Sequence, residues 1–270
     1  MSGQHRRPAP HARVNASEPT APFTSSARYY DALYMRDRDY QGQAARIAAI
    51  ARELCPDART LLDVACGTGL HLEYLASEFR CEGLDVSESM LQIAQARNPG
   101  MTFHLGDMRG FGTGRRYHVV ICLFSSITYA MDVPGLRGTL QKFAEHLVPG
   151  GACIVEPFIP PEAWVDERTG HVRQADLPQL TVAMVDRATR YDRTVVREIA
   201  YAAATSSGVD QVLERHTFGL FSADDYLDAF RHAGFHVWHD PGFNPARGLY
   251  VGCLARPDGR QHTGASSSGS

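Results

Sequence analysis

Four stretches carry residues able to do chemistry on a bound ligand. The first is Asp63-Val64-Ala65-Cys66-Gly67-Thr68-Gly69, an acid followed by a glycine pair. Lacking a Cβ, Gly67 and Gly69 let a ligand approach the backbone and allow turn dihedrals that other residues resist. The second is Asp85, closing an apolar run; a carboxylate there can accept both hydroxyls of a ribose. The third is Gly106-Asp107-Met108. An acidic side chain followed by a backbone N–H matches the N6 and N1 edge of adenine. The fourth, Phe124-Ser125-Ser126, falls where the reactive group of such a ligand would lie. A dinucleotide fingerprint would need a third glycine, and Leu72 stands at that position.

Alternating elements must position these stretches. Residues 43–54 place Ala45, Ile47, Ala48, Ile50, Ala51 and Leu54 at helical spacing. Residues 60–65 read as a strand running into the glycine turn, and 71–79 as the helix after it. Residues 81–86 and 87–97 repeat the pattern, with Ser87 as N-cap. Strands at 101–105 and 117–124 follow, then a helix at 134–147 stopped by Pro149-Gly150-Gly151, and a strand at 152–156. This rhythm predicts a parallel α/β sheet covered by helices, and ligands bind at the C-terminal ends of such strands. All four chemical stretches fall at those ends. After Pro157 the rhythm changes. Residues 180–185, 194–202 and 212–220 read as an antiparallel β segment inserted within about 160–220. A helix at 222–233 and strands at 235–239 and 248–255 complete the domain, expected over 25–256. Residues 1–24 read as a disordered lead and 257–270 as a flexible tail.

The 270 residues are 44% hydrophobic and 21% charged, an ordinary globular composition. No unbroken apolar run is longer than residues 119–124, and a membrane span needs roughly 20. A formal charge of −3 gives no global field for holding a polyanion, so no nucleic acid is expected as the partner. The six cysteines form no C-x-x-C pair and read as reduced thiols of a cytoplasmic protein. His236 and His239 point to opposite faces of a strand, so no metal site is expected.

With these residues in view, the chain resembles the class I S-adenosylmethionine-dependent methyltransferases. More narrowly, it resembles the N,N-dimethyltransferases that act on nucleotide-linked aminosugars in macrolide antibiotic biosynthesis. The matching stretches are Tyr30-Asp31-x-x-Tyr34, Asp39-Tyr40, Leu61 through Leu72, Gly106-Asp107-Met108-Arg109, Phe124-Ser125-Ser126-Ile127, Val155-Glu156-Pro157 and Arg247-Gly248-Leu249-x-Val251-Gly252. The resemblance implies a Rossmann-like sheet of seven strands, the last antiparallel, and a homodimer built through the added β segment. It implies that Tyr34 and Tyr40 contact the methionyl part of S-adenosyl-L-methionine, that Ala65 and Gly67 line it, that Asp85 holds the ribose, and that Asp107 and Met108 hold the adenine. Tyr30, Phe158 and Tyr129 would face a small-molecule substrate, with Tyr129 beside the acceptor nitrogen. Arg247 would bind the diphosphate of a nucleotide-sugar. The expected chemistry has Tyr129 orienting the amine while Tyr34 or solvent takes its proton.

The residues also have plainer readings. Asp85 and Asp107 would serve as local caps, Tyr30 as packing, and Arg247 as half of a surface ion pair. The acceptor side departs from the family, with Phe158-Ile159 where two tryptophans are common and Asn244-Pro245-Ala246 before Arg247. N-, O- or C-methylation of another metabolite, and a binding protein without catalysis, stay open at this stage.

Overall fold

The structure is a computed structural model that describes residues 22–35, 38–165, 170–244 and 247–256. Among the described residues, six α-helices and eleven strands follow in chain order. They are α1 (Ala27–Tyr34), α2 (Tyr40–Leu54), β1 (Thr60–Val64), α3 (Leu70–Leu75), β2 (Arg80–Asp85), α4 (Glu88–Arg97), β3 (Thr102–Leu105) and β4 (Tyr117–Cys122). Then come α5 (Val133–Glu145), β5 (Leu147–Val155), β6 (His171–Leu177), β7 (Leu180–Tyr191), β8 (Thr194–Thr205), β9 (Gly208–Gly219), α6 (Ala223–His232), β10 (Phe235–Asp240) and β11 (Leu249–Leu254).

Seven strands form one sheet in the order β10-β11-β5-β4-β1-β2-β3. β1 to β5 are parallel, and the last strand, β11, runs antiparallel to both neighbours. The Rossmann-like sheet expected from the resemblance is therefore present. Strand periodicity explains how it is covered. Val119 and Ile121 of β4 join Leu61 and Ile154 under α2 and α3. Val120 and Cys122 point the other way, with Leu62 and Val155, to meet α5 and α6. Caps fix the helix starts. The Ser87 hydroxyl accepts the Met90 N–H, and Ser222 and Asp225 form a reciprocal capping box on α6.

β6 to β9 make a second, antiparallel sheet. Its inner face buries Ala175, Val182, Met184, Ile199 and Tyr201 against Tyr29 and Leu33 of α1. The sequence pattern predicts three of these strands. β6 escapes it because nearly every position is exposed or half-exposed, leaving no apolar alternation to read. α1 is unforeseen too, since its tyrosines serve two different surfaces. β5 begins at Leu147 rather than Ala152. The Pro149-Gly150-Gly151 turn is absorbed as a register shift against β4, with Gly150 at φ +80°. α3 ends at Leu75, shorter than expected.

The described chain begins inside the stretch expected as the lead, because Pro22, Phe23 and Thr24 pack against the central cavity. The remainder of the lead, the tail 257–270, and Pro245 and Ala246 lie outside the described residues.

Candidate active site

The tip of β1 turns sharply. Ala65 sits at φ +61°, Gly67 at +55° and Gly69 at +71°, all left-handed. The two glycines do different work. A Cβ on Gly67 would meet nothing within 4 Å, so this backbone is open toward the cavity. A Cβ on Gly69 would strike the Asn98 Nδ2 at 2.8 Å, so this glycine serves packing against α4. Asp85, at the tip of β2, accepts the Gly67 N–H at 2.9 Å and the Ser87 N–H at 2.8 Å. Burial raises its carboxyl pKa, and the backbone donors pull in the opposite direction. Each carboxylate oxygen keeps a second lone pair, which is what two ribose hydroxyls need. Asp63, two residues before Ala65, is buried, and desolvation and then Asp85 push its carboxyl well up.

These tips open into a cavity of about 850 Å³ between the two sheets. Along its adenine-expected end lie Leu84, Val86, Met90, Asp107 and Met108. Asp107 is on the wall, but its carboxylate is bound by the Arg109 side chain at 2.6 Å and the Arg109 N–H at 2.9 Å. Those hydrogen bonds hold it below its usual pKa. α1 roofs the cleft. The Thr68 hydroxyl donates to Asp31 at 2.7 Å, and Arg97 bridges Asp31 and the Thr68 carbonyl at 2.6 Å each. That clamp presents Tyr30 and Tyr34 to the cavity, their ring centroids 4.7 Å apart.

Tyr40 is not brought to the wall. It stands one layer behind, its ring 4.8 Å from His71 and 5.3 Å from Phe124. Starting α2 with this ring puts it against the back of Phe124, so it supports a cavity residue.

The far end of the cavity belongs to the second sheet and the tips of β4 and β5. Phe124 and Ser125 sit at φ +53° and +62°, a strained pair that aims the chain inward. The Phe124 N–H donates to the buried Glu156 carboxylate at 2.8 Å. Arg247 donates to the Ser125 hydroxyl at 2.8 Å, lies 3.9 Å from Glu156 and stacks its guanidinium 5.1 Å from the Phe158 ring centroid. Its Nε is buried without a partner, and burial lowers its pKa. Tyr129, on the wall, shares a 2.7 Å hydrogen bond with His216 Nδ1. Arg197 pairs with Asp186 and reaches Tyr34.

Phe23, Asp186, Arg197 and His216 were not foreseen. One signal for His216 existed. Glu214 and His216 occupy alternate positions of β9 between Val212 and Phe218, so titratable groups stand on the apolar face. Among the described residues, no group of three or more His, Cys, Asp or Glu could hold a metal ion.

Donor set and shape fit S-adenosyl-L-methionine. The open Gly67 backbone gives it room, the spare Asp85 lone pairs suit its ribose, and the cavity continues beyond it to Tyr129, Phe158 and Arg247. Together, this sheet order and cradle define a class I methyltransferase.

Comparison with known proteins narrows the class. A family model described as "Methyltransferase domain" matches residues 61–151. The dTDP-3-amino-3,4,6-trideoxy-alpha-D-glucopyranose N,N-dimethyltransferase of Streptomyces venezuelae is 40% identical over 85% of this chain and 98% of its own. The crystal structure of S. venezuelae DesVI superposes with a TM-score of 0.79 at 39% identity, covering 85% of this chain and 98% of that one. SAM-bound CalS10, an amino pentose methyltransferase from Micromonospora echinaspora, gives 0.74 at 32% identity, covering 88% of this chain and all of that one. The chain belongs to this family of S-adenosylmethionine-dependent sugar N-methyltransferases.

Proposed function

We propose that the substrate is a nucleotide-linked aminosugar of natural-product biosynthesis, held by its diphosphate at Arg247 with its amine beside Tyr129. The observation that carries this reading is the Arg247 guanidinium, largely withdrawn from water, with an unpartnered Nε and its nearest carboxylate 3.9 Å away. A cation in that state gains most from a bidentate anion, and a diphosphate is such a group. The names of the relatives point to the same substrate class.

S-adenosyl-L-methionine, when bound, supplies a methyl group already activated on sulfonium. The protein's work is therefore placement. Asp85 holds the ribose, Asp107 and the Met108 N–H hold the adenine, Ala65 and Gly67 line the methionyl chain, and Tyr34 closes over it. Fixing two reactants in line can account for roughly 7–11 kcal/mol of barrier lowering. The faces of Tyr30, Tyr34 and Phe124 favour the cationic centre by about 0.5–2 kcal/mol. Phe158 packs edge-on against Phe218 at 5.6 Å and shapes the wall where the sugar would lie. We infer further that two copies pair through the β6–β9 sheet, and that the enzyme works in the cytoplasm, where its free cysteines stay reduced.

The test is S-adenosylhomocysteine release over a panel of dTDP-aminosugars, plain amines and hydroxylated metabolites. Turnover confined to the nucleotide-linked amines is expected. Equal turnover of the plain amines would overturn the diphosphate assignment, and turnover of a different acceptor alone would replace the substrate class.

A further inference from the structure

We infer that Tyr129, His216 and Glu214 form a proton relay that takes the proton of an incoming ammonium off the acceptor nitrogen, with His216 as the terminal acceptor and Glu214 as its counter-charge. This rests on the N-methylation reading above.

The hydrogen-bond directions follow from donor counting. The Glu214 carboxylate accepts the Phe23 N–H at 3.1 Å, the Ser26 N–H at 3.1 Å, the Ser26 hydroxyl at 2.8 Å and His216 Nε2 at 3.2 Å. With that many donors it is ionised and can only accept. Burial alone would raise its pKa, but the bonds from His216, Ser26 and Phe23 hold it below the usual value. The hydrogen of His216 therefore sits on Nε2. In the neutral ring Nδ1 is a bare lone pair, and the Tyr129 hydroxyl must donate to it across 2.7 Å. This leaves the lone pairs of the Tyr129 oxygen to face the cavity. An N–H is what they can bind there.

A protonated amine has no lone pair for attack, so a proton must leave first. In the step inferred here, an N–H bond of the ammonium breaks and its proton goes to the Tyr129 oxygen. The hydroxyl proton of Tyr129 passes at once to His216 Nδ1. The products are a neutral amine and an imidazolium beside a carboxylate, with the total charge unchanged. The amine nitrogen then bonds the methyl carbon as the carbon–sulfur bond breaks. His216 returns its proton to solvent by the same path when product leaves. Burial pushes the Tyr129 phenol up, so it acts as a shuttle that stays neutral and not as a stored tyrosinate.

The surroundings allow the charge. His216 is 1% exposed and stands on the cavity wall beside Tyr129. Arg197 is its cross-strand partner on β8, and Arg197 is itself paired with Asp186 on β7. Tyr34 on α1 lies beside Arg197, and the Phe23 ring meets the imidazole edge-on at 4.8 Å. Glu214 is thus the uncompensated charge facing the ring. In this relay Tyr129 meets the amine, while His216 and Glu214 act through it.

His216→Gln tests the relay, because an amide oxygen can still accept from Tyr129 but cannot take a proton. The expected result is a loss of kcat of about a hundredfold at pH 7, with KM changed less than about threefold. Activity should climb back toward wild type as the pH passes the free amine's own pKa. Wild-type kcat with an unmoved pH profile in a folded His216→Gln overturns the relay. A second measurement needs no variant and no methyl donor. In histidine-labelled wild-type enzyme, the ring nitrogen shifts of His216 should show the Nε2–H form alone, then the imidazolium once a dTDP-aminosugar is added. An Nδ1–H ring, or one that stays neutral with substrate bound, overturns it equally. If wild type turns over no nucleotide-linked amine at all, the substrate reading fails, which is a separate outcome.

Discussion

The two ends of the cavity are built by different means. At the cofactor end, the key contact joins residues 18 apart, Gly67 and Asp85, at the tips of neighbouring parallel strands. Backbone geometry does most of the work there, through left-handed turns at Ala65, Gly67 and Gly69. At the acceptor end the contacts span the chain. Tyr129 meets His216 across 87 residues, Arg247 meets Ser125 across 122, and Glu214 meets Ser26 across 188. One end is a local motif that any sheet of this order can carry. The other is a side-chain assembly that exists only once the β6–β9 sheet, α1 and the chain before it have docked. A family can keep the first while retuning the second for new acceptors.

The contrast can be broken from either side. Asp85→Ala should weaken S-adenosyl-L-methionine binding by about a hundredfold or more by calorimetry, since two buried N–H groups lose a charged acceptor. Nucleotide-sugar affinity should be unchanged if the two ends are separable; a parallel loss would show them coupled.

A second test uses pH. His71, behind the cofactor end, donates to Gln43 at 3.1 Å if its Nε2 carries the hydrogen, and burial followed by Arg38 lowers its pKa to about 3. In the unfolded chain it titrates near ~6.5. The unfolded state thus binds the proton first as pH falls. This contribution is complete above ~6.5 and is lost progressively below it, by about 2 kcal/mol between pH 6.5 and 5. Urea unfolding at both pH values should show that slope in wild type and a shallower one in His71→Gln.

Arg247→Ala should raise KM for the nucleotide-sugar about tenfold and leave donor affinity alone, as read from steady-state kinetics and calorimetry. The smallest effect is expected from Tyr40→Phe. Because Tyr40 stands behind Phe124, loss of its hydroxyl should change donor affinity less than about threefold. A larger loss would put that hydroxyl in contact with the methionyl group after all.

Much of the fold was legible because strand and helix periods are local. The apolar spacing of Ile47, Ala48, Ile50, Ala51 and Leu54 shows the buried face of α2 directly, and Ser87 and Ser222 mark two helix starts. β6 was not legible, because an edge strand with one buried residue has no period. The resemblance gives Tyr40 to the cofactor, but a motif match does not show the layer in which a ring falls, and this ring packs behind Phe124. For His216 the alternation with Glu214 gives a face but no role, since its partner Tyr129 comes from a turn 87 residues away.

The chain on its own determined the cradle, since glycine placement, an acid at the next strand tip and the strand–helix rhythm act over a few residues and follow from backbone sterics. Only the tertiary structure decided the acceptor end. There Arg247, Tyr129, His216 and Glu214 acquire their hydrogen-bond partners from residues remote in sequence, and burial between two sheets makes those partners matter.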